Sequence, residues 1–553
     1  MSFDVNSFEL GPALLQWLAV VAVCAVVATI VGFGIALLGG GTRGAAYFAD
    51  ALRRGVVDLT RLSWQRIVAL ATLTVREAFR KKTLYIFAVF ILLFMFAGWF
   101  LQGQDLDKPA KPYVSFVLTS VRWILIPVAI LLACWGLPAD IKDRSLHTVV
   151  TKPVRRSEIV IGRILGYSVV TTLVLAIMSV VGYVWIQRAV PPRAQDQLIS
   201  RVPVYGEMTI LDRNGEPGGG VNVGDIWEFR GYIEGNTRAR GVYRFDNLDV
   251  DELKDNDQLK LEYKFEAFRT HKGEIGEGIH FRLTLVNEET GLRVPYPARG
   301  DLEIQEFAGE TVERDAKPVV EIPRQLTYLK APDDEASRPQ ETTVDLFEDL
   351  ISDETLVVEV SCEDSGQYLG MAQPDLFVRM PDNSFATGYF KSMAGIWLML
   401  VLVIMLGTTA STFLKGPVAT LLTFGLVVMG QGLRVFMGTL LEQYQEEGQV
   451  TGGGALESAY RLATQMNVQS PLPEGPATTL IKWIDTRVFD GLTLLQNVIP
   501  DFNYFNMTPY VANGFDVPWN AALLPSIATV LAYVIPCIVI GYFSLQLREL
   551  EAK

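Results

Sequence analysis

"DRSLHTVVTKPVRRSEIVIGRILG" (residues 143–166) gathers Arg144, Lys152, Arg155, Arg156 and Arg163 into a link broken by Pro153. Apolar runs flank it, "WILIPVAILLACWGLPA" (123–139) before and "YSVVTTLVLAIMSVVGYVWI" (167–186) after. Each run comes close to the roughly 20 residues a helix needs to cross the hydrocarbon core of a bilayer. Lysine and arginine in short loops between spans are retained on the cytoplasmic side. The stretch therefore predicts a polytopic α-helical membrane protein and orients it, with this link inside.

Working outward, the 553-residue chain is 50% hydrophobic, which favours membrane segments. Seven runs fit spans, at about 13–40, 84–101, 119–139, 160–186, 393–412, 416–440 and 521–545. The first is not read as a signal peptide. Its leader "MSFDVNSFEL" has no lysine or arginine and carries Asp4 and Glu9, and no small-residue cleavage site stands out after it. Residues 1–12 are expected outside and 13–40 form an extra N-terminal span. Segment 41–83 is cytoplasmic, rich in arginine, and holds an amphipathic helix. Residues 84–187 carry three spans and the cytoplasmic loop 140–158. Residues 188–391 and 441–520 fall outside, 392–440 carry two spans, and 521–553 are the last span and a cytoplasmic tail. The net charge of −13 is thus segregated, with acids concentrated in the external region.

"SWQRIVALATLTVREAFRKK" (63–82) puts Trp64, Ile67, Val68, Ala71, Val75, Ala78 and Phe79 on one helical face. Arg66, Arg76, Glu77, Arg80 and Lys81 share the other. The pattern predicts a helix lying along the inner leaflet with Ser63 as N-cap. The plainer reading is a helix packed on its own protein, since periodicity cannot tell lipid from protein. Pro153 ends any helix that starts near Ile141. A short helix at about 141–150 is expected, then a kink, then the fourth span with Ser157 as N-cap and Glu158 in its first turn. Such a knob could pass a push to both flanking spans. The plainer reading is a loop whose charges only set orientation.

These segments, "TVREAFRKKTLYIFAVF" and "IKDRSLHTVVTKPVRRSEIVIGRILG", resemble the ATP-binding-cassette (ABC) type 2 transporter permeases. "IPDFNYFNMTPYVANGFDVPW" (499–519) is similar to permeases associated with multicopper-enzyme maturation. The resemblance covers about 63–186 and 393–553. It implies an interface helix holding Trp64, Arg66, Arg76, Glu77 and Arg80, and a coupling segment offering Arg144, His147, Lys152, Arg155 and Arg156 to a separate ABC ATPase. It also implies a homodimer or pseudo-dimer of permeases, ATP bound only on the partner subunit, and export. The chain departs from the family in its extra N-terminal span, in "DRSLHT" where many members show an acidic-Gly-Thr pattern, and in the long insert after the fourth span.

Within 202–381 the period becomes that of strands. "IWEFRGYI", "GVYRFD", "LKLEYKFEAF", "IHFRLTLV" and "TLVVEVS" alternate, separated by turn residues, which predicts an inserted extracytoplasmic antiparallel β-sandwich. Trp227, Tyr232, Tyr243 and Phe245 read either as a ligand face or as core. In 441–520, Leu480, Ile481, Ile484, Val488, Leu492 and Leu495 share a helical face, expected on the outer membrane surface or against the β-domain. Gln431 and Arg434 in the sixth span are candidate pathway residues.

No G-x-x-x-x-G-K-[ST] loop occurs, so the chain is expected to bind no nucleotide itself. His147, His271 and His280 are far apart and the four cysteines have no ligand spacing, so no metal, cofactor or catalytic role is expected. Membrane lipid is an expected partner and nucleic acid is not. The expected place is the cell (inner) membrane, multi-pass, N-terminus outside and C-terminus cytoplasmic. A rival reading is a non-transporting membrane anchor that presents the β-domain to an envelope partner. An ion-coupled transporter is disfavoured, because the spans lack paired polar residues at mid-depth.

Overall fold

Sustained apolar sequence makes long helices here, and alternating sequence makes a separate antiparallel sheet region. The computed structural model describes residues 8–80, 110–142, 154–221, 230–255, 257–269, 278–298, 300–304, 319–330, 340–447, 453–467, 470, 472–473 and 475–551. The longer helices are α1 (Leu10–Thr60), α2 (Trp64–Arg80), α3 (Lys111–Lys142), α4 (Arg156–Ala189), α5 (Phe385–Phe413), α6 (Gly416–Glu447), α7 (Ala455–Thr464), α8 (Pro476–Val498) and α9 (Leu524–Glu551). Among the described residues, five helical stretches are long and apolar enough to cross a membrane, where the sequence suggests seven. They lie in α1, α3, α4, α5 and Trp519–Leu547. The expected sixth run lies in α6, whose described apolar stretch, Gly416–Gly432, is shorter. The expected run 84–101 lies outside the described residues.

α3, α4, α5, α6 and α9 form one bundle whose contacts close at small residues. A Cβ on Gly407 would sit 2.9 Å from Ala133 Cβ, and one on Gly182 would sit 2.7 Å from Val117 Cγ1. Such close approach is how apolar helices attract one another where no hydrophobic drive separates protein from lipid. Polar side chains add cross-links. Tyr389 Oη donates to Ser179 O at 2.9 Å, Trp397 Nε1 to Thr172 Oγ1 at 2.7 Å and Trp135 Nε1 to Thr420 Oγ1 at 3.1 Å. α3 ends, α6 begins and α9 finishes at one end of the bundle, here the tail side; the sheet region sits at the other.

α1 runs 20 residues beyond its expected end because the chain folds back within it. Gly41 has φ 57° and ψ −146°, a conformation that a Cβ would strain. The two arms touch: a Cβ on Gly44 would lie 2.2 Å from Ala36 O, and Phe48 packs on Phe33 at 6.4 Å between ring centroids. The first arm follows α9, with Phe8 N donating to Asn520 O at 3.3 Å and Trp17 Nε1 to Ala532 O at 3.1 Å. The second arm returns to α9 at Gly55, beside Tyr542 and Phe543.

Among the described residues every ladder of the sheet region is antiparallel. The strand Leu356–Cys362 lies between Arg240–Phe245 and Ile279–Val286. A second sheet orders Ile199–Tyr205, Leu376–Ser384, Gln258–Tyr263 and Val319–Pro323. Inward residues of both, such as Leu259, Leu261, Phe281, Leu283, Val358 and Val378, share one core. The expected run "LKLEYKFEAF" breaks at Lys264–Phe265, after which Glu266–Arg269 joins a third sheet. Tyr243 and Phe245 are fully buried and Tyr232 is 4% exposed, so these aromatics are core; Trp227 lies outside the described residues.

Two features fix this region to the bundle. Leu376–Ser384 runs directly into α5, with Ser384 Oγ accepting from Thr387 N. Arg201 reaches into the segment before α9, donating to Gly514 O at 3.2 Å and Asn513 O at 2.6 Å, lying 4.1 Å over the Phe515 ring and pairing with Glu262. Residues 499–519 contribute to the bundle core, with Phe502 and Val517 fully buried and Phe505 and Met507 each 1% exposed. α8 packs on α6 and α7. Of its expected apolar face, Leu480, Val488 and Leu495 stay exposed.

Candidate functional site

Charged side chains gather at the tail side, where α1, α2, α4 and α9 meet. The cluster is built around Glu158. This residue is fully buried at the third position of α4, where its charge suits the helix N-terminus. Its carboxylate accepts from Arg155 N at 3.0 Å and from Ser63 N, just before α2, at 2.9 Å; Arg66 approaches it at 3.5 Å. One side chain therefore closes the start of α4 and the start of α2 together. A buried carboxylate is tolerable only with this kind of compensation.

Arg155 is the N-cap residue of α4, in place of the expected Ser157, and makes the next set of ties. Its guanidinium donates to Val57 O at 3.2 Å and Arg61 O at 2.5 Å, and stands 3.5 Å from Asp58. Both carbonyls lie at the C-terminal end of α1, where the helix dipole favours a cation, and Val57 O also accepts from Arg61 N at 3.1 Å. Ser157 is diverted from capping because its hydroxyl donates to Asp58 O at 3.1 Å. Asp58 also accepts from Tyr542 Oη of α9 at 2.9 Å.

α2 then runs along α4. A Cβ on Gly162 would lie 2.6 Å from Leu70 Cβ, and one on Gly166 2.5 Å from Thr74 Cβ and 2.9 Å from Ala71 O. The two glycines, four apart, make a groove for the α2 backbone. Ile67, Thr74 and Ala78 are buried there, and Glu77 pairs with Arg163 at 2.6 Å. Trp64 (68% exposed), Val68 and Phe79 stay open on the other edge. The predicted apolar face is thus divided, one edge on protein and one free. The packed-helix reading holds for the first edge.

The remaining predicted residues divide similarly. Arg144, His147 and Lys152, with most of the helix expected at 141–150, lie outside the described residues. α3 continues unbroken to Lys142. Arg155 is engaged with the end of α1, as described above. Arg156 begins α4, Arg66 and Glu77 are paired as above, and Arg76 is exposed; the side chain of Arg80 lies outside the described residues. The carbonyl of Gln431 accepts from Asn503 Nδ2 at 3.3 Å, while the side chain of Arg434 lies outside the described residues. Asp58 and Tyr542 were not anticipated from the sequence. Their only signal is polarity at the ends of otherwise apolar helices. Among the described residues no cluster of three His, Cys, Asp or Glu could hold a metal. At this site hydrogen bonds and ion pairs link four helices, α1, α2, α4 and α9.

The fold and site together define a mostly helical chain with several helices able to cross a membrane, a charged joint at one end and an antiparallel sheet region at the other. No family model, curated protein or solved structure matches the chain.

Proposed function

We propose that this chain is the permease subunit of an ABC transporter, an exporter, driven by a separate ATPase that grips the loop 140–158 and α2 from the cytoplasm. The tail side is then cytoplasmic and the sheet region extracytoplasmic, as the lysine and arginine distribution favours. Two permeases pair, and ATP stays on the partner subunits. The resemblance of 63–186 and 393–553 to type 2 permeases supplies the class. The observation that carries it is the Glu158 joint. A loop that only set orientation would need no buried carboxylate binding its exit to a second helix. Hydrogen bonds to a charged group contribute about 1.5–3 kcal/mol each, enough for α2 and α4 to move as one body under a push from below.

The test is co-purification of an ATPase from the native membrane. Wild type and the exposed control Lys482→Glu should bring it down, and Arg144→Glu/Lys152→Glu should lose at least tenfold. Retention by the double variant overturns the docking surface. An absence of any ATPase from the wild type favours the membrane-anchor reading instead.

A further inference from the structure

Arg122 lies in the apolar helix α3 and is only 9% exposed, yet its Nε has no hydrogen-bond partner among the described residues. Buried charge in a spanning helix is costly and marks a working site unless paired. Its surroundings follow from helix register. Arg122 precedes Ala133 by eleven residues, about three turns, so both share one face of α3. That face meets α5, since Ala133 abuts Gly407. α5 runs parallel, as the contact of Val117 and Tyr389 beside Gly182 shows, so Arg122 comes level with Ile396 and Gly395. At Gly395 the inserted loop arrives, with Phe505 O 3.3 Å and Met507 Sδ 2.7 Å from where a Cβ would be. The same loop touches α6 one residue before Gln431, where a Cβ on Gly430 would lie 2.3 Å from Pro500 O. Gln431 Nε2 is a second buried donor without an acceptor among the described residues. Two buried donor atoms without an acceptor among the described residues, one of them cationic, thus lie level with or next to the two glycines, Gly395 and Gly430, that the loop 499–519 abuts.

We propose that Arg122 and Gln431 bind an anionic oxygen group, a carboxylate or phosphate, of the molecule the transporter carries. The inference rests on the permease reading for its meaning, but binding is measurable without an ATPase. Arg122 stands about 16 Å along α3 from its start, well inside the bundle rather than at its rim. A bidentate guanidinium suits such a group, and an amide N–H completes it. The experiment is thermal unfolding of the purified full chain in detergent, titrated with inorganic phosphate, with acetate, and separately with phosphatidylglycerol in mixed micelles. Wild type should gain roughly 2 °C or more at tenfold over half-saturation with a soluble anion. Arg122→Met should lose the gain, Arg122→Lys should keep part of it, and Gln431→Leu should need several-fold more anion. A gain with phosphatidylglycerol alone would assign the site to lipid and overturn the cargo proposal. An equal gain in wild type and Arg122→Met, or no gain in wild type, would overturn the site itself. Loss of ATPase pairing with anion binding intact would overturn only the transporter reading.

Discussion

At Glu158 one carboxylate meets two backbone N–H groups and a guanidinium, with no exposure to water. Removing it leaves Ser63 N–H and Arg155 N–H without their acceptor. Glu158→Ala is expected to cost about 3 kcal/mol, and Glu158→Gln less because its amide oxygen still accepts. Thermal unfolding in detergent orders the three proteins, and an alanine variant as stable as wild type would remove Glu158 from its role. Sequence alone showed Glu158 as a first-turn acid and no more. Its partners Ser63 and Arg66 lie more than 90 residues earlier, a separation that local pattern cannot bridge. In the sheet region, burial pushes the Cys362 thiol up to about 11. The thiolate is the reactive form, so little of it exists near neutral pH. In a chain whose only cysteine is Cys362, maleimide at pH 7.5 should label it more than 100-fold slower folded than in denaturant. Equal rates would show that the strand Leu356–Cys362 opens readily.

Among elements, α2 shows what an amphipathic pattern carries. The apolar face of 64–79 was legible, because helical periodicity is local. Which edge lies on protein was not, because the groove that receives it is made by Gly162 and Gly166 of another helix. Gly166→Leu should therefore part the two helices. Spin labels at the exposed positions Trp64 and Val169 would report a longer and broader distance distribution, with Gly34→Leu, which meets nothing within 4 Å, as the unchanged control. An unchanged distance in Gly166→Leu would mean that α2 is held by its charges alone. α1 was read short for a related reason. The sequence "LLGGGTRGAA" (37–46) signals a stop, but the helical pattern resumes at once, and only the positive φ of Gly41 turns it into a folded-back arm.

Across the whole molecule the division into apolar helices and alternating strands was legible, since both signals are strong and local. The joints between them were not. Arg201 reads as an ordinary strand residue, yet it joins the sheet region to Asn513, Gly514 and Phe515. Arg201→Ala should raise amide exchange in 199–205 and 513–516 by tenfold or more while Ile279–Val286 keeps its protection; uniform protection would show that the passage of Leu376–Ser384 into α5 suffices. The segment 499–519, expected within the extracytoplasmic region 441–520, sends Phe502, Phe505 and Met507 into the bundle core, packing that local pattern did not show. All of the functional reading requires that the basic loop and the sheet region lie on opposite sides of one membrane. Side-specific cysteine labelling measures this directly, in a cysteine-free background, with Lys152→Cys in the loop and Asn214→Cys in the exposed turn Asp212–Glu216. The expected result is that an impermeant maleimide reaches Lys152→Cys only in inside-out vesicles and Asn214→Cys only in right-side-out ones. Labelling of both from the same side would contradict it.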